Sequence, residues 1–177
     1  MTTRATKTIT FRIDQDLINK IENESKRREI NLNRMVNEIF RNYVEWDMLE
    51  PQAGMIPVAK AVVAEIFRNM EKEQVISLAK QVGKNATYDI ILFMKKGKVD
   101  LDSFLSWLKM WLSKNSTAGF NHTVEDDNIH TYIMKHDLGE NWSLYHKIVL
   151  EFIFNEVLNK PLNISISEEV VCFNFKY

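Results

Sequence analysis

Cysteine is nearly absent: Cys172 is the only one in 177 residues. No intramolecular disulfide framework can form, and the chain fits a reducing compartment. Glycine and proline are scarce too, at five and three, which leaves little material for long flexible segments. No apolar run approaches the ~18 residues of a membrane span, and the opening Met1-Thr2-Thr3-Arg4 lacks the apolar stretch of a signal peptide. These absences predict a soluble cytoplasmic protein with no membrane partner. What is present is core material: 45% apolar residues, including ten Phe, eight Met and four Trp. That suffices for a small module plus a second domain of roughly 120 residues.

Motifs of covalent and phosphoryl chemistry are missing as well. There is no Gly-x-Ser-x-Gly elbow, Walker-type loop or Gly-x-Gly-x-x-Gly, and five glycines leave little for a phosphate cradle. His136, Asp137 and Ser143 make a triad only on paper, because neighbours on a strand point to opposite faces and His136 is then badly placed to bond Asp137. Neither enzymatic activity nor a cofactor is expected.

The net charge of −1 hides an asymmetry. Residues 1–44 hold nine Lys/Arg against six Asp/Glu, whereas residues 45–177 hold fourteen against eighteen. The first twelve residues carry Arg4, Lys7 and Arg12 and no acid, a pattern that suits contact with a polyanion. Residues 7–13 alternate strictly, with Ile9, Phe11 and Ile13 on one side and Thr8, Thr10 and Arg12 on the other, which predicts one half-buried strand. Asp14 is placed to N-cap a helix carrying Leu17, Ile18 and Ile21 and ending in Lys26-Arg27-Arg28. Asn31 then opens a second helix, in which Met35, Val36, Ile39, Phe40 and Tyr43 form one stripe.

One strand and two helices in about 44 residues cannot satisfy the strand's backbone or bury enough surface alone. A symmetric dimer answers both needs. Two strands pair antiparallel, their Ile9/Phe11/Ile13 faces lie on four helices, and Thr8, Thr10 and Arg12 face outward. At these residues, about 6–46, the sequence resembles the MetJ/Arc-type ribbon-helix-helix family, which inserts such a ribbon into the DNA major groove. The resemblance implies that Thr8, Thr10 and Arg12 read bases. It also implies that Asn31, Leu32 and Asn33, at the start of the second helix, hold a backbone phosphate, with Arg4, Lys7 and Arg34 as further phosphate contacts. The family's turn commonly carries Gly in a Gly-x-Ser-type arrangement. Here it reads Glu29-Ile30-Asn31, which puts an acid near the expected phosphate.

Pro51, Gly54 and Pro57 mark a linker over 51–56, so the expected division is 1–50, linker, and 57–177. Pro57 is expected in the first turn of a helix to about Asn69, with Val58, Val62, Ile66 and Met70 on its apolar side. Glu71 to Lys96 reads as one or two helices with Gly83 as a candidate break. Asp100 caps another helix, with a stripe of Phe104, Leu105, Leu108, Trp111 and Leu112. After Gly119 the period changes from 3.6 to 2. Hairpins over 120–124 and 129–136, turning at Glu125-Asp126-Asp127-Asn128, and over 163–167 and 170–175 flank a helix over 140–159. The fold class is α+β, a helical section followed by ββαββ. The stretch His136-Asp137-Leu138-Gly139-Glu140-Asn141-Trp142-Ser143 is similar to uncharacterised archaeal predicted regulators, a resemblance that implies no ligand.

The four histidines all lie in this second part. His130 and His136 share a strand face by parity, His122 sits across the hairpin, and with Cys172 they are candidates for a transition-metal site. No CxxC or HxxxH supports that, and hairpin histidines are more often surface or core residues. Trp107, Trp111, Trp142, Tyr132, Tyr145 and Phe152 are candidates for an apolar pocket, though their helical spacing suits core packing equally. The carboxylate pairs Asp126/Asp127 and Glu168/Glu169 fall at turns and read as solvated. The expected function is a sequence-specific transcription regulator. Its partners are double-stranded DNA, a second copy with a higher oligomer left open, and a small-molecule or protein effector of the C-terminal domain. An antitoxin-like interaction protein with autoregulatory DNA binding and a metal-responsive regulator are the alternatives.

Overall fold

The computed structural model describes residues 5–115, 119–125 and 128–177. The chain divides into two compact units, Met1–Met48 and Leu49–Tyr177.

The first unit holds α1 (Gln15–Arg27) and α2 (Leu32–Asn42), the latter running on into a turn of π-helix, Tyr43–Asp47. Asp14 stands at the N-cap position of α1, but its carboxylate makes no capping bond; only its carbonyl accepts, from the Ile18 N–H at 3.0 Å. Asn31 does cap α2: its Oδ1 accepts the Arg34 N–H at 2.8 Å. Between the helices, the N–H groups of Arg28, Glu29 and Ile30 return to the carbonyls of Glu24, Lys26 and Ser25, each at 3.0 Å. That closure puts Glu29 in the left-handed region at φ +52°. The strand expected over 7–13 is not formed. These residues make no regular element, and every one of them is exposed. A strand is stable only with a hydrogen-bonded neighbour, and no other described segment of this unit supplies one.

The second unit is α+β. Its helices are α3 (Lys60–Arg68), α4 (Lys72–Leu78), α5 (Lys84–Met94), α6 (Leu101–Asn115) and α7 (Glu140–Phe152). Its strands are β1 (Phe120–Glu125), β2 (Ile129–Lys135), β3 (Asn163–Ile166) and β4 (Val170–Lys176). They form one antiparallel sheet in the order β1-β2-β4-β3. The ββαββ order expected from the change of period is present. The turn residues Asp126 and Asp127 lie outside the described residues. Helix α7 contacts α3, α4, α5, β3 and β4. It is therefore the pivot of the core, and its continuation places Ile153 and Phe154 at zero exposure. The inward sheet face carries Tyr132, Met134, Val171, Phe173 and Phe175, all buried, and Tyr132 stacks on Phe173 at 5.1 Å.

The segment expected as a linker over 51–56 includes a closed turn, in which Ala53, Gly54 and Met55 donate to the carbonyls of Leu49, Pro51 and Glu50. Two expectations need correction. Helix α3 starts at Lys60 rather than Pro57, and it buries Phe67, leaving Val58, Val62 and Ile66 exposed. Phe67 prevails because its ring meets Trp142 at 4.9 Å and Tyr145 at 5.7 Å, a larger buried contact than the aliphatic stripe offers. Gly83 is not a break either: it keeps helical angles in a π-turn (Ala79–Gly83) joining α4 to α5. Its missing side chain serves packing, since a Cβ there would stand 2.5 Å from the Tyr145 hydroxyl. Asp100, by contrast, caps α6 as its spacing predicts, accepting from Ser103 N–H at 2.9 Å.

Candidate nucleic-acid interface

The candidate base-reading residues Thr8, Thr10 and Arg12 are exposed, as is Lys7; Arg4 lies outside the described residues. The intervening Ile9, Phe11 and Ile13 are 59%, 55% and 44% exposed, so in the single chain neither side of this segment is covered. Phe11 has one ring neighbour on α2, Phe40, at 5.8 Å. That is a contact of Phe11 alone; residues 7–13 form no strand, and their two sides are equally open.

At the start of α2 the geometry suits an anion. Asn31 engages the Arg34 N–H, and the N–H groups of Leu32 and Asn33, in the first turn, have no intrahelical acceptor. Arg34, expected as a phosphate contact, is ion-paired within the unit. Its Nε donates to Glu38 at 3.0 Å, and Arg28 donates to the other oxygen of the same carboxylate at 2.9 Å. The Arg34 hydrogen bond, helped by the charge of Arg28, holds the Glu38 carboxyl below its ordinary range. Arg27 is likewise held by Glu24 through two bonds of 2.7 Å. Glu38 is the residue sequence reasoning missed, and its i,i+4 spacing from Arg34 is the signal that was there to read.

The candidate metal ligands do not converge. His122 Nε2 and His130 Nδ1 lie 3.1 Å apart on neighbouring strands. Cys172 pairs in register with Ile133 and Ser165, whereas His130 pairs with Phe175, so the thiol is on the opposite face of the sheet. His136, six residues along from His130, is displaced by about 20 Å of extended chain. Among the described residues no group of three or more His, Cys, Asp or Glu is placed to hold a metal ion.

His136 and Ser143 do meet, at 2.8 Å. The Leu138 N–H donates to His136 Nδ1, so the neutral imidazole carries its proton on Nε2 and donates it to Ser143 Oγ. Ser143 is fully buried and passes its own proton to the Ser167 carbonyl at 2.7 Å. This polarity is the reverse of a base withdrawing a serine proton, and the chain of bonds acts as a clamp between α7 and the loops flanking it. Asp137 pairs with Lys60 instead. Of the candidate aromatics, Trp107, Trp111, Trp142 and Tyr145 line one cavity. Tyr132 belongs to the stacked sheet face, and Phe152 lies under the Lys84 ammonium at 4.6 Å.

No protein-family model, curated protein or solved structure matches this chain.

Proposed function

We propose that the first unit is one half of a dimeric ribbon-helix-helix module and that the protein binds double-stranded DNA in a sequence-specific way, as a transcription regulator. One observation carries this reading. Ile9, Phe11, Ile13, Leu17, Ile39, Phe40 and Tyr43 are all exposed in a unit of 48 residues in which, among the described residues, the buried apolar ones are Met35 and Trp46. A fold of this size cannot leave most of its apolar side chains in water. A second copy supplies the cover, and it supplies the hydrogen-bond partner that residues 7–13 lack.

In that dimer the two 7–13 segments pair antiparallel and present Thr8, Thr10 and Arg12 to the major groove. Arg12 reaches guanine O6 and N7 in a bidentate contact, and the threonines offer hydroxyls and methyls to base edges. Lys7 and the Leu32 and Asn33 N–H groups hold the backbone. The Arg28–Glu38–Arg34 cluster keeps one net positive charge beside that helix start.

The test is selection from random duplexes with the full-length protein, followed by binding of Arg12→Ala to the selected site and to an unrelated duplex. The expected site is an inverted repeat, and Arg12→Ala weakens specific binding by about 1–3 kcal/mol while barely changing the unrelated duplex. Equal losses on both duplexes, or a selected site without two-fold symmetry, would rule the reading out.

A further inference from the structure

The second unit contains a partly enclosed cavity of about 210 Å³ between α5, α6 and α7, lined by Thr87, Trp107, Trp111, Trp142, Tyr145 and His146 among others. Protein interiors rarely leave a void larger than a water molecule, so a space of this size in a small core needs a reason. An engineered cavity of about 150 Å³ already accepts benzene. The volume here fits one aromatic ring with substituents, or a compact fused pair.

Its walls define the chemistry. Aromatic faces follow one another around it: Trp107 to Trp111 at 6.1 Å, Trp111 to His146 at 5.3 Å and His146 to Trp142 at 4.4 Å. Among the described residues no Lys, Arg, Asp or Glu lines it, so an ion would enter without a counter-charge from them, at a large desolvation cost. His146 supplies a directed polar group. The Trp142 carbonyl can only accept, so at 3.1 Å it fixes the proton of the neutral imidazole on Nδ1. Nε2 is left as an acceptor with no hydrogen-bond partner among the described residues. Burial pushes the imidazole pKa down to about 4, which keeps that acceptor available at neutral pH. Trp107, which lines the same cavity, has a buried indole N–H without an acceptor, where nearly all buried polar atoms are paired.

We propose that this cavity is a binding site for a small, uncharged aromatic molecule bearing a hydroxyl or ring N–H, of the phenol or indole class, whose hydrogen is donated to Nε2 of His146. The ring lies among the tryptophan faces, and the hydrogen bond selects for the polar substituent over a plain hydrocarbon. The site is independent of the DNA-binding reading, because every group in it belongs to the second unit.

The test uses the full-length protein, with phenol, indole, toluene, benzoate and tetramethylammonium as probes in calorimetric titrations and thermal melts. Phenol and indole should bind saturably and raise Tm by a few degrees at concentrations about tenfold above Kd. Toluene should bind about 5- to 10-fold more weakly than phenol, the value of one hydrogen bond, and benzoate should not bind. Thr87→Met, which fills the space, should weaken phenol binding at least tenfold while the protein still melts cooperatively. Ile90→Phe, at another wall position, repeats that test by a different route. His146→Phe should bring phenol and toluene to equal affinity. The proposal is overturned by failure of both phenol and indole to bind, or by phenol binding that survives both fillings. Toluene binding as tightly as phenol in the unaltered protein would remove the role of His146, and tighter binding of tetramethylammonium than of phenol would replace the ligand class by a cation.

Discussion

Glu29 occupies a left-handed backbone conformation, φ +52°, that costs a residue with a side chain roughly 1 kcal/mol or more and costs glycine nothing sterically. Its side chain is exposed, so Glu29→Gly should stabilise the protein by about 0.5–1 kcal/mol in denaturant unfolding; a loss of stability would mean the carboxylate does something there beyond closing the turn. Ser143→Ala should act in the opposite direction. It leaves the His136 Nε2–H and the Ser167 carbonyl without their partner in a fully buried site, at about 1–3 kcal/mol. His146 predicts a pH dependence. Burial lowers its pKa from 6.5 to about 4, so between those values the unfolded chain binds a proton that the folded chain refuses. Stability is therefore full above pH 6.5 and declines as pH falls toward 4, with about 2–3 kcal/mol lost from this residue by pH 4.5. Comparing chemical unfolding at pH 7 and 4.5 for the unaltered protein and His146→Phe isolates that share, and identical losses in the two would refute the assignment. Asn31 and Asp100 were legible as caps because a cap acts within three residues of itself. Asp14 was not, since the same residue at the same position leaves its side chain unbonded. The polarity of the His136–Ser143 bond depends on Leu138 and Ser167, which no local pattern connects.

Among elements, the hairpins and α7 were readable and the joint between α4 and α5 was not. Alternation in sequence marks all four strands, and in the central pair, 129–135 and 170–176, it becomes a buried face, whereas the edge strand 120–125 stays exposed apart from His122. Gly83 invited a break because glycine weakens a helix, yet the helix passes through it and Tyr145 of α7 occupies the space a Cβ would need. Gly83→Ala is expected to destabilise by about 1–3 kcal/mol through overpacking, although alanine is the better helix former. In a Tyr145→Leu background the same change should cost much less. A cost that stays the same in both backgrounds would show that the glycine serves the π-turn itself rather than the tyrosine. The stripe assigned to α3 failed for a related reason: Val62 and Ile66 are as apolar as their spacing suggests, but two aromatic rings of α7 draw Phe67 inward instead.

At the scale of the whole molecule, two units of unequal character share one chain. The second buries a continuous core, whereas the first leaves most of its apolar side chains exposed. If association provides the missing cover, thermal unfolding of the full-length protein should include a transition whose midpoint rises with protein concentration. Phe11→Asp should abolish that dependence and shift sedimentation to the monomer, because a charge would then sit where two apolar faces must meet. The same variant should lose specific DNA binding along with the dimer. A transition independent of concentration over two decades would sink the association and the DNA-reading ribbon together.

The sequence by itself determined the periods of the elements, two working caps, the basic bias of residues 1–44 and the alternation of residues 7–13. All of these follow from backbone geometry and side-chain chemistry acting over a few residues. Tertiary structure decided which faces meet. It put Cys172 across the sheet from His122 and His130, added Arg28 to the Arg34–Glu38 pair, seated Tyr145 on Gly83 and gathered three tryptophans around His146. Register, close packing and the pairing of buried polar atoms are settled by partners far away in the chain, and a contact of that range leaves no periodic trace in either of the segments that make it.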